Sequence, residues 1–427
     1  MSSERVRNWR RRYRDHYLWW LLPIFFVASF VVDNRTGVVN VFRIVVLLGT
    51  VLALEMSDLK RLWRLPPTRW FLLLMAWLSV TLCWDGIGAE DWKLLQGGLQ
   101  VVVLLLLVLM LSEQPQDRQR VLLWWFLISG LLGLALILLD WSGTPADFAR
   151  RFPELERSYY YTRGVFTISI FTGWMAAVLG ILGLQMALRV SAWKAVPLYL
   201  LTSIASMVVF LTQARSAWLA LGLGLCMAML GWAVTTGYSR RSTTTRFAVA
   251  AIVVVTPVLI VFYALGDISG ILADGLGRGD SYRVAIWRNG MEQLLSSPIN
   301  GLVGFGLSAS TANSAGGVVQ SHYHSLYLNT FYYGGAVALV LYLLSLYASL
   351  RNILAGGQQW LWLPVLVPMQ LAFLVDGEHF FVVPSAMMLA YLLPLFWAMT
   401  GFSPLYSDPH PAHLTVAENG PEVNKQG

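Results

Sequence analysis

The feature that most constrains this chain is the recurrence of apolar bands of about 20 residues, the length an α-helix needs to cross the hydrocarbon core of a bilayer. Twelve bands can be marked, at roughly 17–33, 39–56, 68–84, 95–112, 121–141, 165–188, 193–213, 216–236, 246–266, 325–349, 358–375 and 380–400. With 57% hydrophobic and 12% charged residues, the chain lies far outside the composition of a soluble domain. In hydrocarbon every backbone N–H and C=O must be paired within the protein, so only helices or a closed barrel can span. The short alternation of barrel strands is absent. The sequence therefore predicts an all-α integral membrane protein of about twelve transmembrane helices, forming one polytopic domain over 1–427.

Basic residues set the expected orientation. The arginine-rich stretch RVRNWRRRYR ahead of the first band predicts a cytoplasmic N-terminus. An even number of spans then places the C-terminal tail, 402–427, in the cytoplasm as well. The run after the arginines is long, opens on aromatics and lacks a small-residue cleavage site, so it is expected to be an uncleaved helix rather than a signal peptide. Two substantial loops are expected on the outer side, 142–164 and a long one, 267–324, containing helices. Ten of the eleven basic residues expected on that side are arginine: Arg35, Arg43, Arg150, Arg151, Arg157, Arg163, Arg215, Arg278, Arg283 and Arg288, with Lys93 the exception. Arginine is favoured where a planar, permanently charged fork grips phosphate or carboxylate, so the outer face reads as anion-binding. The net charge of +7 does not point to nucleic acid, because topology accounts for the inner basic residues and the outer ones face the wrong compartment. Cys83 and Cys226 fall in or at the ends of bands, where neither a disulfide nor a metal site is expected.

The stretch from Ser281 to Gly335 concentrates arginines, a histidine pair and glycine turns between apolar runs. Asp280 or Ser281 is predicted to cap a helix running to about Ser297, ended by Pro298 and the glycines at 301, 304 and 306. Val284, Trp287, Met291 and Leu294 or Leu295 would share its apolar face. Arg283 and Arg288, five residues apart, would point in different directions. Such a helix could lie in the interface with its arginines on lipid headgroups, or it could hold a substrate. His322 and His324 favour the second reading, because imidazole titrates near neutrality and can take a proton from a hydroxyl; a capping role for a lone histidine is the alternative. Arg215, in LTQARSAWLAL between two bands with almost nothing separating them, either snorkels to headgroups or grips a lipid-linked phosphate. In the loop 142–164, Arg150, Arg151, Arg157 and Arg163 stand among Tyr159, Tyr160 and Tyr161 and suit either an acceptor carrying phosphates and sugars or an interfacial anchor. Asp376, Glu378 and His379, with Glu90 and Asp91, could bind a divalent ion. Against that, these acids are expected to pair with outward arginines or to anchor their loops.

The runs LTQARSAWLAL, YRVAIWRNGMEQLLSSPINGLVGFG and HYHSLYLNTFYYGG resemble, in order, the arginine-bearing helix start and the R-x-x-x-W, P-x-x-G-x-G and H-[NS]-x-x-L-x(6)-G signature of the O-antigen ligase and polymerase superfamily. The glycine run departs from the commoner pattern in carrying Leu302 and Val303. The resemblance implies a fold similar to the C-type membrane glycosyltransferases, sited in a bacterial inner membrane with its active site in the periplasm. It implies transfer of O-antigen polysaccharide from undecaprenyl diphosphate to the lipid A-core oligosaccharide, with inversion and without metal or other cofactor. His324 would be the general base and His322 an orienting or relaying partner. Arg215, Arg283 and Arg288 would bind the diphosphate, with Arg278, Arg150, Arg151, Arg157 and Arg163 as further substrate-binding candidates.

A polymerase adding repeat units, or a protein O-oligosaccharyltransferase, would use the same donor and the same residues. A lipid-linked glycan transporter is the reading from another class. It would want charges near the bilayer midplane, whereas here the spans carry almost none and the charges gather on one side.

Overall fold

The computed structural model describes residues 3–32, 35–84, 88–140, 169–212, 214–235, 251–252, 283–309, 313–315, 318–320, 323–355, 359–377, 379–381 and 387–404. The loop 142–164, most of the band 246–266, the first part of the long loop and the tail beyond 404 lie outside the described residues. The chain forms helices α1 Ser3–His16, α2 Leu21–Val31, α3 Arg35–Val41 and α4 Leu48–Ala53, the last two joined by a π-helical turn, Phe42–Leu47. Next come α5 Met56–Arg64, α6 Pro66–Thr81, α7 Ala89–Ser112, α8 Gln116–Asp140, α9 Ser169–Ala187, α10 Ala192–Leu211 and α11 Arg215–Thr235. The C-terminal part holds α12 Arg283–Leu295, α13 Pro298–Val303, α14 Leu326–Ala355, α15 Gln359–Val375, a π-helical turn Met388–Leu392 and α16 Leu393–Thr400. A small antiparallel hairpin pairs β1 Asn313–Ala315 with β2 Val318–Gln320.

Seven helical segments are each long and apolar enough to cross a bilayer: Thr36–Ala53, Asp91–Ser112, Gln116–Leu139, Ile170–Ala187, Trp193–Leu211, Arg215–Val234 and Leu326–Ala355. The protein is thus helical and multi-pass. Leu361–Val375 and Met388–Thr400 are shorter apolar helices. Two expectations need correction here. In the band at 380–400, residues 380 and 381 are non-helical and 387–400 are helical. The band at 325–349 is not one continuous helix, since α14 is broken by non-helical dihedrals at Gly335.

α9 lies at the centre, packed by α10, α11 and α15. Small residues let these helices approach, as they must where lipid offers no hydrophobic drive for association. A Cβ on Gly173 would stand 2.8 Å from that of Ala217, and one on Gly180 would stand 3.2 Å from that of Ala205. α6 packs on α14, α2 on α8 and α7 on α16. Trp174, Trp362 and Trp397 are fully buried, and each finds a partner ring: Phe373, Trp397 and Phe402 respectively.

Polar side chains gather at the two ends of the bundle. At one end Arg14 of α1 donates to both carboxylate oxygens of Asp58 at 3.1 and 3.2 Å and to Glu113 at 2.9 Å. Arg61 also pairs with Glu113. Gln119 accepts from the Ser403 N–H at 2.6 Å, which ties α8 to the last described residues. The opposite end carries the candidate site.

Candidate functional site

The site is assembled by the start of α11, the start of α12, the turn entering α14 and the turn leaving α15. Arg283 and Trp287 are four residues apart on α12, so they share a face one turn apart. The Trp287 indole N–H donates to the Tyr323 carbonyl at 2.8 Å, and Arg283 Nη2 lies 3.4 Å from Asp376 Oδ2. Beside them run Ile286, Gly290 and Leu294, all buried. The ring of Tyr323 fills the space that a Cβ on Gly290 would need. The buried face is therefore Ile286, Gly290 and Leu294 with Trp287 and Met291 at its flank. The expected face is corrected at Val284, which is exposed, and of the alternatives Leu294 and Leu295 it is Leu294 that is buried. The helix also ends at Leu295, and Pro298, expected as a terminator, opens the separate short helix α13.

His324 stands in the left-handed region at φ 50°, a conformation in which histidine is enriched among non-glycine residues and which still costs roughly 1–2 kcal/mol. What holds it there is a stitched pair of segments. Ser325 begins α14, with its hydroxyl accepting from the Leu328 N–H at 3.3 Å. The fully buried Asn329 accepts from the Tyr323 N–H at 3.1 Å and donates to the Gly377 carbonyl at 3.0 Å. The Leu326 N–H donates to the Asp376 carbonyl at 3.3 Å. Residues 323–326 and 376–377 thus lie side by side.

Asp376 is the hub of the arrangement. Its side chain is 5% exposed. One carboxylate oxygen accepts from the Gly377 N–H at 3.1 Å and faces His324 Nδ1 at 3.7 Å, ion-pair range but beyond a hydrogen bond. The other faces Arg283 and accepts from the Ser216 hydroxyl at 3.4 Å. Ser216 is held in turn by the Trp174 indole N–H at 3.1 Å. It is the neighbour of Arg215, which begins α11 and is half-buried. A carboxylate facing one imidazole nitrogen favours the proton there and leaves the second nitrogen as the base.

The glycine motif has a steric meaning. Gly304, Gly306 and Gly335 all have positive φ, at 77°, 93° and 67°. A Cβ on Gly335 would strike the Leu302 carbonyl, and one on Gly304 would stand 2.5 Å from the Tyr333 carbonyl carbon. The loop after α13 therefore crosses α14 in direct backbone contact. The helix break frees carbonyls, and the loop satisfies them: the Phe305 N–H donates to Tyr332 O at 2.9 Å, the Gly306 N–H to Tyr333 O at 3.0 Å, and Trp77 Nε1 to Gly334 O at 2.7 Å. Such repair is what a bilayer demands of irregular backbone.

Beneath this crossing, Gln370 of α15 accepts from the hydroxyls of Tyr327 at 2.6 Å and Tyr342 at 2.8 Å, and donates to Tyr391 at 2.9 Å. The network binds the His324 end of α14 to the Asp376 end of α15. His379, three residues past Asp376, packs edge-on to Tyr333. Its Nδ1 is sealed from solvent with no hydrogen-bond partner among the described residues. Burial pushes its pKa down from 6.5 to about 4.

Of the expected site residues, the structure brings Arg283 and His324 together on Asp376 and sets the start of α11, with Arg215, beside them. Arg288 is exposed on the same helix, and it is Arg283 that reaches Asp376. His322, Arg278, Arg150, Arg151, Arg157 and Arg163 lie outside the described residues. The expectation that Asp376 meets an outward arginine is met by Arg283. Its place as the hub, and the parts of Ser216 and Asn329, were not expected. Asp91, raised as a possible ligand of the same ion, instead accepts from the Gly88 N–H at 2.6 Å and caps α7.

Residues 198–343 match the family model described as O-antigen ligase. The matched segment includes Arg215, Arg283, Trp287 and His324, and ends before Asp376. No curated protein matches the chain at a significant level.

Proposed function

We propose that this chain, whose residues 198–343 match the O-antigen ligase family model, is the ligase: a transferase moving O-antigen polysaccharide from undecaprenyl diphosphate to the lipid A-core oligosaccharide. The observation that carries the reading is the convergence of Arg283 and His324 on the buried carboxylate of Asp376, at 3.4 and 3.7 Å. The fold is proposed to be of the C-type glycosyltransferase kind, with about twelve spans, both termini in the cytoplasm and this end of the bundle in the periplasm of the inner membrane.

In the proposed step, an acceptor sugar hydroxyl gives its proton to His324 Nε2 as its oxygen attacks the anomeric carbon. The bond from that carbon to the diphosphate oxygen breaks, the electron pair leaves with the diphosphate, and the anomeric centre inverts. Asp376, facing Nδ1, keeps the ring in the tautomer with Nε2 as base and stabilises the imidazolium that forms. Arg283 and Arg215 stabilise the charge growing on the diphosphate. In this reading Arg283 exchanges its contact with Asp376 for phosphate when donor binds. Arg288, exposed on the same helix, is assigned to the distal part of the donor, and Arg278 with the arginines of the loop 142–164 to binding donor or acceptor by their charge. His322 orients or relays.

The test is lipopolysaccharide from a strain lacking the protein, complemented with wild type or with His324→Ala. Full-length polymer accumulating on its carrier, with rough lipopolysaccharide, supports ligation. Single repeat units on the core would mean polymerisation, and an unchanged pattern would mean transfer to protein or transport. Normal lipopolysaccharide from His324→Ala would remove the assigned base.

A further inference from the structure

Arg43 sits inside a membrane-crossing segment, Thr36–Ala53, and its side chain is exposed on the surface of the bundle. An arginine facing lipid costs roughly 2.5–3.5 kcal/mol at a helix centre and less toward the interface, and by default marks a functional position. No carboxylate among the described residues lies within ion-pair distance of it. Its partner is Gln96 of α7, whose amide oxygen accepts from Arg43 Nη2 at 3.2 Å. Among the described residues, that contact leaves the Gln96 NH2 and most of the guanidinium fork available as donors. Lys93, three residues before Gln96 and so on the same face of α7, is exposed as well. The π-helical turn begins one residue before Arg43, and such turns occur often at functional positions.

The surroundings narrow the ligand. Ile44, Leu48 and Val51 below Arg43, and Leu99 on α7 below Gln96, are exposed apolar side chains. An anion bound here would carry acyl chains along them, so a free phosphate does not fit the surface. The other face of α7 is turned to the site: Gly98 leaves room for Phe381, and a Cβ there would stand 2.6 Å from its ring. Phe381 is five residues past Asp376. The helix that carries Gln96 thus packs, through Gly98, on the segment that follows the turn carrying Asp376.

We propose that Arg43 and Gln96 form a docking site for a phosphate on the membrane-anchored glycolipid acceptor, holding it at the bilayer boundary so that its sugars reach His324. The assignment rests on the ligase reading for the identity of the acceptor. Binding itself can be measured without catalysis. The protein in lipid nanodiscs is titrated with bis-phosphorylated lipid A, with the same lipid after removal of its phosphates, and with phosphatidylglycerol. Wild type should bind the phosphorylated lipid A about 10- to 100-fold more tightly than the dephosphorylated form, the span expected for hydrogen bonds to a charged group. Arg43→Gln should abolish that preference, Gln96→Leu should weaken it, and Arg43→Lys should retain part of it. In ligation assays Arg43→Gln should raise the acceptor KM more than it lowers kcat, and leave the donor KM in place.

Equal binding of the two lipid A forms, or full affinity in Arg43→Gln, would overturn the site. Competition by phosphatidylglycerol at equal affinity would reduce it to a general headgroup contact and overturn the acceptor assignment. If the phosphate preference depends on Arg43 but no ligation occurs, the docking site stands and the ligase reading fails.

Discussion

Both ends of the bundle hold arginines against carboxylates, and they are built for different purposes. At the Arg14 end, two arginines meet three acids: Arg14 contacts Glu55, Asp58 and Glu113, and Arg61 shares Glu113. Asp58 is further engaged as the receptor of the Glu55 N–H, closing a capping box at the start of α5. Every acid there has an arginine partner, and the contacts join α1, α5 and the turn after α7. At the Asp376 end a single buried carboxylate faces an arginine and a histidine at 3.4 and 3.7 Å. Arg215 at the start of α11 and Arg288 on α12 stand on the same two helices as Ser216 and Arg283. Short, multiply bonded contacts hold helices together, whereas the longer contacts around Asp376 suit groups that exchange partners when substrate binds.

The comparison breaks most visibly through His324 and Asp376. Loss of a general base costs about 10²–10⁴-fold in rate, so His324→Ala should reduce ligation by that order while donor binding and the unfolding temperature in detergent hold. Asp376→Asn should lower kcat in the same direction, with the pH profile of kcat displaced because the ring loses the carboxylate facing Nδ1. If either variant instead loses stability and retains its rate per folded molecule, the Asp376 cluster is structural like the Arg14 cluster.

Gly335→Ala comes next. Its Cβ would collide with the Leu302 carbonyl at a backbone conformation that alanine resists. A loss of several kcal/mol is expected, with the loop crossing released and activity lost together with stability. Retained unfolding temperature and retained activity would show that the crossing does not hold the site.

Asp58→Ala probes the other end. It removes two of the hydrogen bonds of Arg14, which keeps Glu113 and Glu55, and a helix cap, for about 2 kcal/mol of destabilisation, read as a lower unfolding temperature with the rate per folded molecule preserved. A selective loss of rate would mean that the two ends are coupled.

The residues that were legible in the sequence are those whose pattern is local. Apolar bands mark the helices because a bilayer leaves few alternatives, and the spacing of Arg283 and Trp287 already put both on one turn. In the sequence Asp376 reads as a possible ion ligand or a loop acid paired with an arginine, and its place as hub is hidden because its partners Arg283 and Ser216 lie 93 and 160 residues away along the chain. The break in α14 was invisible to hydropathy, since YYGGAVAL is as apolar as an unbroken helix. What marks it is steric, the meeting of Gly304 with Tyr333 and of Gly335 with Leu302. The face of α12 was misread at Val284 because apolar character was taken to mean burial, whereas packing against Tyr323 selected the row through Gly290.

His379 sharpens the comparison within the site itself. It lies three residues from Asp376, yet burial lowers its pKa to about 4, so it is neutral wherever His324 would work. Because its folded pKa lies below the unfolded value of about 6.5, the unfolded chain takes up the proton first. The stability it permits is therefore complete above pH 6.5 and is lost as pH falls from there toward 4. The loss should reach about 2 kcal/mol by pH 5. His379→Phe, which keeps a ring against Tyr333, should flatten the fall in unfolding temperature between pH 7 and 5 and leave the pH profile of ligation in place. A displaced ligation profile would instead make His379, and not only His324, a proton-carrying member of this end of the bundle.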